Sequence, residues 1–256
     1  MFIQKLYGIY FSPTDTTKSV LKHMLAESDI PWQEIDLTTY EHRNCSYTFN
    51  EDDLVFLGAP VYGGRVPSAA ENRIKLLKGG GTPIVLVATY GSMHYSHALF
   101  ELQQIVTANG FITIAAAAVA AEHNVVSKIG SGKPNAQDLF EISSFVKHIH
   151  AKATSLASFK NLVLKGNMPI SPRDIMPAKP HGDKNCTKCG ACVKLCPMRA
   201  IDNPRKTAGK VCIRCMRCVK YCPQKARTFG GLKLIGVTIL LTLINRGKEK
   251  QSDFFI

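Results

Sequence analysis

Eight of the nine cysteines fall between Cys186 and Cys222, and their spacing carries most of the chemistry legible in the chain. The stretches "NCTKCGACVKLCPMRA" (185–200) and "VCIRCMRCVKYCPQKA" (211–226) align without gaps at an offset of 26 residues. Each reads C-x2-C-x2-C-x3-C-P. In that spacing three thiolates wrap one corner of an iron–sulfur cube, and the fourth, followed by a helix-ending Pro, crosses to a second cube. Cluster one is therefore expected on Cys186, Cys189, Cys192 and Cys222, and cluster two on Cys212, Cys215, Cys218 and Cys196. Paired zinc knuckles are the competing reading, but they bring two separated Cys pairs and require neither the third close Cys nor the Cys-Pro. Tight spacing without a recognisable secretion signal favours metal over disulfides. Cys45 stands apart from the repeat and reads as a bystander thiol, since nothing near it in sequence would activate it.

A cube held by four thiolates carries net negative charge, and Lys188, Lys194, Arg214, Arg217 and Lys220 lie within the cysteine runs themselves. Positive charge there favours the reduced form. The whole chain follows the same division: residues 1–150 hold 11 Lys/Arg against 14 Asp/Glu, whereas 151–256 hold 21 against 5, or −3 against +16. Such a block points to an acidic docking partner, such as a small redox carrier of the ferredoxin or flavodoxin kind. Nucleic acid is the alternative use of a basic half, with clusters or zinc as structural staples. Between Cys186 and residue 230 only Tyr221 and Phe229 could offer stacking platforms, which argues against it.

A second constellation sits near the start, in "FSPTDTTKSV" (11–20). Ser12, Thr14, Thr16 and Thr17 cluster at a strand-to-helix corner, where hydroxyls and the free amides of a helix N-terminus suit an oxyanion. Neither G-x-G-x-x-G nor GK[ST] is present, so one phosphate monoester is expected rather than a dinucleotide or a nucleoside triphosphate, and FMN is the foremost candidate. Asp15 interrupts this anion corner. Its carboxylate is expected to point at solvent, away from a phosphate. Two further loops, "APVYGGRVP" (59–67) and "YGSMHYSH" (90–97), carry Pro60, Tyr62, Gly63 and Gly64, and Tyr90 and Gly91, at strand ends. Glu122 and His123 are the chemical groups of a fourth loop over 120–134. Trp32 reads as packing, and the pairs His94/His97 and His148/His150 as ordinary surface or helix residues.

The elements that must position these loops alternate. Short apolar runs at 2–11, 53–59, 83–90 and 111–119 read as strands, with a weaker one near 32–37, and helical periodicity runs over 16–27, 68–78, 95–108 and 136–156. Almost wholly apolar short strands suit a parallel sheet covered on both faces. Ligands of such sheets bind beyond the carboxyl ends of the strands, where the three loops lie. Residues 157–183, with four prolines, read as an extended connector.

With these motifs in place the chain resembles the flavodoxin family, whose phosphate loop has the form [ST]-x-T-G-x-T, here "SPTDTT". The Gly of that form falls at Asp15, so the resemblance implies a left-handed backbone there. The family's ring-cradling loops match those over 59–67 and 90–97, which makes Pro60, Tyr62, Gly63, Gly64, Tyr90 and Gly91 ring-binding candidates. Its whole order resembles the flavodoxin-ferredoxin fusions labelled EFR-type ferredoxins. In those, Y-G-N-R is common where this chain has Tyr90–Met93. The resemblance implies an α/β fold with a flavodoxin-like doubly wound parallel sheet and a small α+β two-cluster ferredoxin domain. It implies FMN and two 4Fe-4S clusters as cofactors, and electron transfer between them as the function, with an oxidoreductase activity open. The expected layout is a flavodoxin-like domain over 1–156, a connector over 157–183, a two-cluster domain over 184–230 and a tail over 231–256 packed on the protein. The start "MFIQKLYGIY" lacks a basic n-region and a small-residue cleavage site, so a cytoplasmic chain is expected. The longest apolar run, "LIGVTILLTLI" (234–244), falls short of the roughly 20 residues a spanning helix needs. Its flanking Lys233, Arg246, Lys248 and Lys250 leave weak membrane-surface contact as a lesser alternative to burial.

Overall fold

The structure, a computed structural model, describes residues 3–155, 160–168, 178–230, 232–245 and 250–256. Five strands, β1 (Lys5–Tyr10), β2 (Trp32–Asp36), β3 (Asp53–Pro60), β4 (Thr82–Tyr90) and β5 (Phe111–Ala120), pair in parallel. Their order across the sheet is 2-1-3-4-5, and β6 (Asp253–Phe255) closes the β5 edge antiparallel. That is the flavodoxin order, with its switch point between β1 and β3.

Residues alternate between the two faces, so each strand feeds two apolar layers. Ile9, Val55, Leu57, Ile84 and Leu86 join α2 (Ser68–Ile74) and α3 (Ala98–Ala108) on one side. Leu6, Leu54, Phe56, Val85 and Val87 join α1 (Thr16–Ala26) and α4 (Ala136–Ser155) on the other. The α1 stripe of Val20, Leu21, Met24 and Leu25 is fully buried. It presses close to β3: a Cβ at Gly58 would stand 2.4 Å from Leu21 Cδ1 and 2.7 Å from Thr17 Cγ2. Trp32 packs at the rim of this layer, as its place beside β2 predicts.

Two elements depart from the periodicity. The helix expected over 68–78 stops at Ile74, because Leu77–Gly79 turns into a strand that pairs in parallel with Tyr47–Phe49. The tail, expected to pack as a helix, is tied down instead by β6, where Phe254 stacks against Phe145 of α4 with ring centroids 5.0 Å apart. The tail helix α7 (Leu232–Ile244) leaves Ile235, Ile239 and Leu243 exposed. Among the described residues no helix is long and apolar enough to cross a membrane.

Of the Pro-rich connector, 157–159 and 169–177 lie outside the described residues. The part over 160–168 runs against the α/β domain, where Leu162 N–H donates to Thr113 O at 2.7 Å and Leu164 is buried. The cysteine segment follows. It is held by two short helices, α5 (Ala191–Lys194) and α6 (Arg217–Lys220), and an antiparallel pair of His181–Gly182 with Arg227–Thr228. Buried Arg227 pins it internally, donating to the carbonyls of Pro204 and Lys206 at 2.8 and 3.0 Å and of Pro180 at 2.8 Å.

Candidate functional site

A cleft of about 360 Å3 opens at the carboxyl ends of the strands. Ser12, Thr14, Thr16, Thr17, Pro60, Tyr62, Gly63, Gly64, Tyr90 and Gly91 all line it, so the structure gathers the ten candidate residues of three separate loops at one place. Its volume suits a small organic ligand. Sequence reasoning gave Glu122, His123 and His94 little weight, and passed over Met93; all four line the cleft too. It did not anticipate the far wall. Ile213 and Arg214, from the second cysteine run, and Leu241 of α7 close that side.

Several hydroxyls of the phosphate-type loop are occupied in building the loop itself. Ser12 Oγ accepts the Lys18 N–H of the first turn of α1 at 3.0 Å, and Ser12 N–H donates to Thr38 Oγ1 at 2.7 Å. Thr17 and Thr89 share a hydroxyl hydrogen bond of 2.6 Å, which ties α1 to β4. Thr14 and Thr16 remain half-buried at the mouth. The second loop is fixed by fully buried Glu101 of α3, which accepts from Arg65 at 2.6 Å and from Val66 N–H at 3.0 Å.

The glycines divide in a way their sequence does not reveal. Gly63 has φ 60° and open space where a Cβ would stand, so it permits close approach of a ligand. Gly64 and Gly91 instead make room for protein: added Cβ atoms would meet Ser96 Oγ and His123 Cδ2, each at 2.8 Å. Tyr90 is likewise buried and committed, its hydroxyl donating to Gln251 O at 2.7 Å and its ring edge-on to Tyr95. Tyr62, half-buried, is the other aromatic residue of these loops that lines the cleft. Where the Y-G-N-R pattern has Asn, Ser92 takes φ 50° and donates to Ala121 O at 2.8 Å, so it serves the loop rather than the cleft. His123 Nδ1 accepts the N–H groups of Val125 and Val126 at 3.2 and 3.1 Å, and burial holds its pKa below the ordinary histidine value.

Asp15 has the left-handed conformation expected of it, with φ 60° and ψ 1°. Its carboxylate does not simply face solvent, however. Tyr221 donates its hydroxyl to Asp15 Oδ2, and Arg217 lies 3.8 Å from Oδ1. Arg217 also donates to Pro13 O at 2.8 Å, and Lys220 to Thr14 O. Three successive loop residues are thus gripped by one short helix of the cysteine segment. A carboxylate in an anion loop has found cations and a phenol on the side away from the cleft. Burial and the Asp15 hydrogen bond push the Tyr221 phenol up to about 12.

The cysteine segment repeats in backbone as well as in sequence. Positive φ recurs at an offset of 26: Lys188 and Arg214 at 58° and 53°, Gly190 and Met216 at 79° and 61°, Arg199 and Lys225 both at 49°. Alternating right- and left-handed residues turn successive N–H groups inward, a concavity suited to anionic clusters. Ala200 N–H and Ala226 N–H each donate to the crossing sulfur, Cys196 Sγ and Cys222 Sγ, at 3.3 Å. Cys196, Cys212, Cys215 and Cys218 line one cavity. Burial raises the Cys215 thiol and takes Cys218 to about 11, with the other sulfurs of that cavity adding to both. Burial also raises Cys192, and the sulfurs of Cys186 and Cys222 add to it. Cys196 thus stands with the three sulfurs of the second run rather than with those of its own. Among the described residues no three His, Cys, Asp or Glu side chains close on a single-ion point, and the sulfurs surround a volume instead. Buried thiols with raised pKa values become ligands when iron supplies the compensating charge. Cys45 is half-buried and far from both groups in sequence and partners.

Comparison with known proteins agrees on this segment. Residues 183–202 and 212–226 each match a model described as a 4Fe-4S binding domain. No curated protein matches the chain. Among solved structures, it is similar to a flavodoxin from the domain Archaea at 11% identity, covering 59% of this chain and 99% of that one with a TM-score of 0.39. A Fusobacterium nucleatum flavodoxin bound to flavin mononucleotide gives 14%, 58%, 98% and 0.40, and an NADH:FMN oxidoreductase 16%, 62%, 94% and 0.42. At such scores the fold rests on the strand order rather than on the likeness. The chain joins an α/β domain of flavodoxin strand order to a pair of 4Fe-4S binding segments.

Proposed function

We propose that the chain is an electron-transfer protein in which FMN occupies the strand-end cleft and exchanges electrons with two 4Fe-4S clusters held by the eight clustered cysteines. One observation carries the reading: the cleft is lined both by the three candidate loops and by Ile213 and Arg214, which sit between Cys212 and Cys215. Ile213 lines the cysteine cavity as well. A ring in the cleft and a cluster in that cavity would share one side chain as their partition.

The residues fit such a cofactor. Thr14 and Thr16 offer hydroxyls at the N-terminus of α1, Gly63 offers backbone without a Cβ in the way, and Tyr62 offers an aromatic wall. FMN when bound supplies two-electron chemistry and the clusters single-electron chemistry, so the pairing couples one-electron carriers to a two-electron partner or substrate. Arg214 would bring a guanidinium beside the ring, and the 59–67 and 90–97 loops would flank it. Reduced cysteines and a redox-carrier role suit the cytoplasm.

Anaerobic purification with iron, sulfide and flavin counts tests the reading. About eight irons and one FMN released per chain are expected. Protein that carries its iron yet neither retains nor rebinds FMN would remove the flavin half of the proposal.

A further inference from the structure

The 26-residue repeat makes each position near one cluster the counterpart of a position near the other, yet the two sets meet different surroundings. Around the second run the counterparts are spent on the α/β domain. Cys215 is buried, Ile213 joins that domain's core, Arg214 lines the cleft, and Lys220 and Tyr221 hold the loop over 13–15. The crossing ligand Cys196 belongs to the same cavity, and its neighbours dock as well: Pro197 O accepts from buried Arg73 at 2.7 Å, and Arg199 pairs with Glu41 at 2.8 Å.

At the first run most of these counterparts face out. Cys189, Thr187, Lys188, Lys194 and Leu195 are exposed, and so are Pro223 and Lys225 beside the crossing ligand Cys222. The face that grips the α/β domain in one half is presented to solvent in the other. In the docked copy Lys220, the counterpart of Lys194, donates to Thr14 O, while Arg217 and Tyr221, which meet the Asp15 carboxylate, correspond to Ala191 and Leu195.

We propose that the exposed copy is the port for an external one-electron carrier, an acidic protein that docks on Lys188, Lys194 and Lys225 around Cys189. The order is then carrier, cluster one, cluster two, cleft. This rests on the cofactor assignment above. In the step, the reduced carrier loses one electron and cluster one gains it, with no bond made or broken and no proton needed. Between Lys184 and residue 230 there are 12 Lys/Arg and one Asp, so the face is complementary to a carrier of net negative charge.

The test is anaerobic stopped-flow reduction of the full, cofactor-loaded chain by a reduced acidic two-cluster ferredoxin, followed at the cluster absorbance. Lys188→Glu/Lys194→Glu should slow the second-order rate by about tenfold or more at low salt, and the difference should collapse as ionic strength rises. Lys206→Glu/Lys210→Glu, equal in charge change and also exposed, should stay within about twofold of the parent at every salt. Iron content and the extent of reduction by dithionite control for folding and should not change. Equal slowing by both pairs, or none by the first, overturns the proposal. Failure of the FMN reading shows separately, as protein that accepts electrons at this rate but releases no flavin.

Discussion

Residues 186–200 and 212–226 share spacing, handedness and hydrogen-bonding pattern, yet Cys189 is exposed while its counterpart Cys215 is buried in a core shared with the α/β domain. Gly190 in the first run, with open space beside it, becomes Met216 in the second, buried and lining the cysteine cavity. A left-handed Met costs about 1 kcal/mol relative to Gly, which its burial offsets. Duplication makes two equal halves. Docking makes them unequal, and the inequality gives the pair a direction.

The largest test of that inequality removes one ligand from each half. Cys215→Ala should lower the iron count from about eight to about four, and should also loosen FMN and destabilise the chain by about 2 kcal/mol more than Cys189→Ala does. Cys189→Ala should cost iron with little change in flavin retention. Iron assay, flavin release and denaturant unfolding on both variants decide it, and matching losses in flavin would erase the distinction.

Next come the anchors beside the crossing ligands. Buried Arg73 satisfies the carbonyls of Leu37, Thr38 and Pro197 and stands over the Phe11 ring, and burial lowers its pKa to about 10. Arg73→Ala should destabilise by about 2–4 kcal/mol in denaturant unfolding, because three buried carbonyls lose their donor. Lys225→Ala, at the exposed counterpart of docked Arg199, should fall within about 0.5 kcal/mol of the parent.

Asp15 sharpens the comparison further, since the counterpart of its partner Tyr221 is Leu195, exposed and without a phenol. Asp15→Ala should weaken docking of the cysteine segment by about 1 kcal/mol and leave the cleft-facing hydroxyls in place. FMN affinity, measured by fluorescence titration, should then change by less than about tenfold. A loss of a hundredfold or more would make the carboxylate a direct participant in flavin binding.

The smallest effect separates the two walls of the cleft by pH. His123 is held neutral by burial, and its Nδ1 accepts two backbone N–H groups. The unfolded chain protonates this imidazole near pH 6.5 but the folded chain only lower, so stability is full above the ordinary value and falls as pH drops below it. Arg214, which also lines the cleft, comes from the second cysteine run. Unfolding midpoints between pH 5 and 7.5 should therefore fall toward acid in the parent and less so in His123→Gln.

The strands β3, β4 and β5 were legible because both faces of the sheet are covered there and their residues are almost all apolar, whereas edge strand β2, with exposed Gln33 and Glu34, gave a weaker signal. The buried stripe marked α1, but the end of α2 at Ile74 did not follow from its pattern. The three loops were legible because strand ends are where such sheets bind ligands. The far wall of the cleft was not. Ile213 and Arg214 lie about 200 residues from Ser12, and a charged residue between two cysteines carries no sign of which loop it will meet.

By itself the sequence determined the ligand chemistry of the cysteines, since thiolate spacing along a chain directly sets which sulfurs can reach one cube. It also determined the strand-end loops and the left-handed turn at Asp15, because these follow from local periodicity and local sterics. Tertiary structure alone decided where the Asp15 carboxylate points, which glycines admit a ligand and which admit a neighbouring side chain, and which half of the repeat is buried. Those outcomes depend on contacts between segments far apart in the chain, where packing and desolvation choose among positions that are equivalent in sequence.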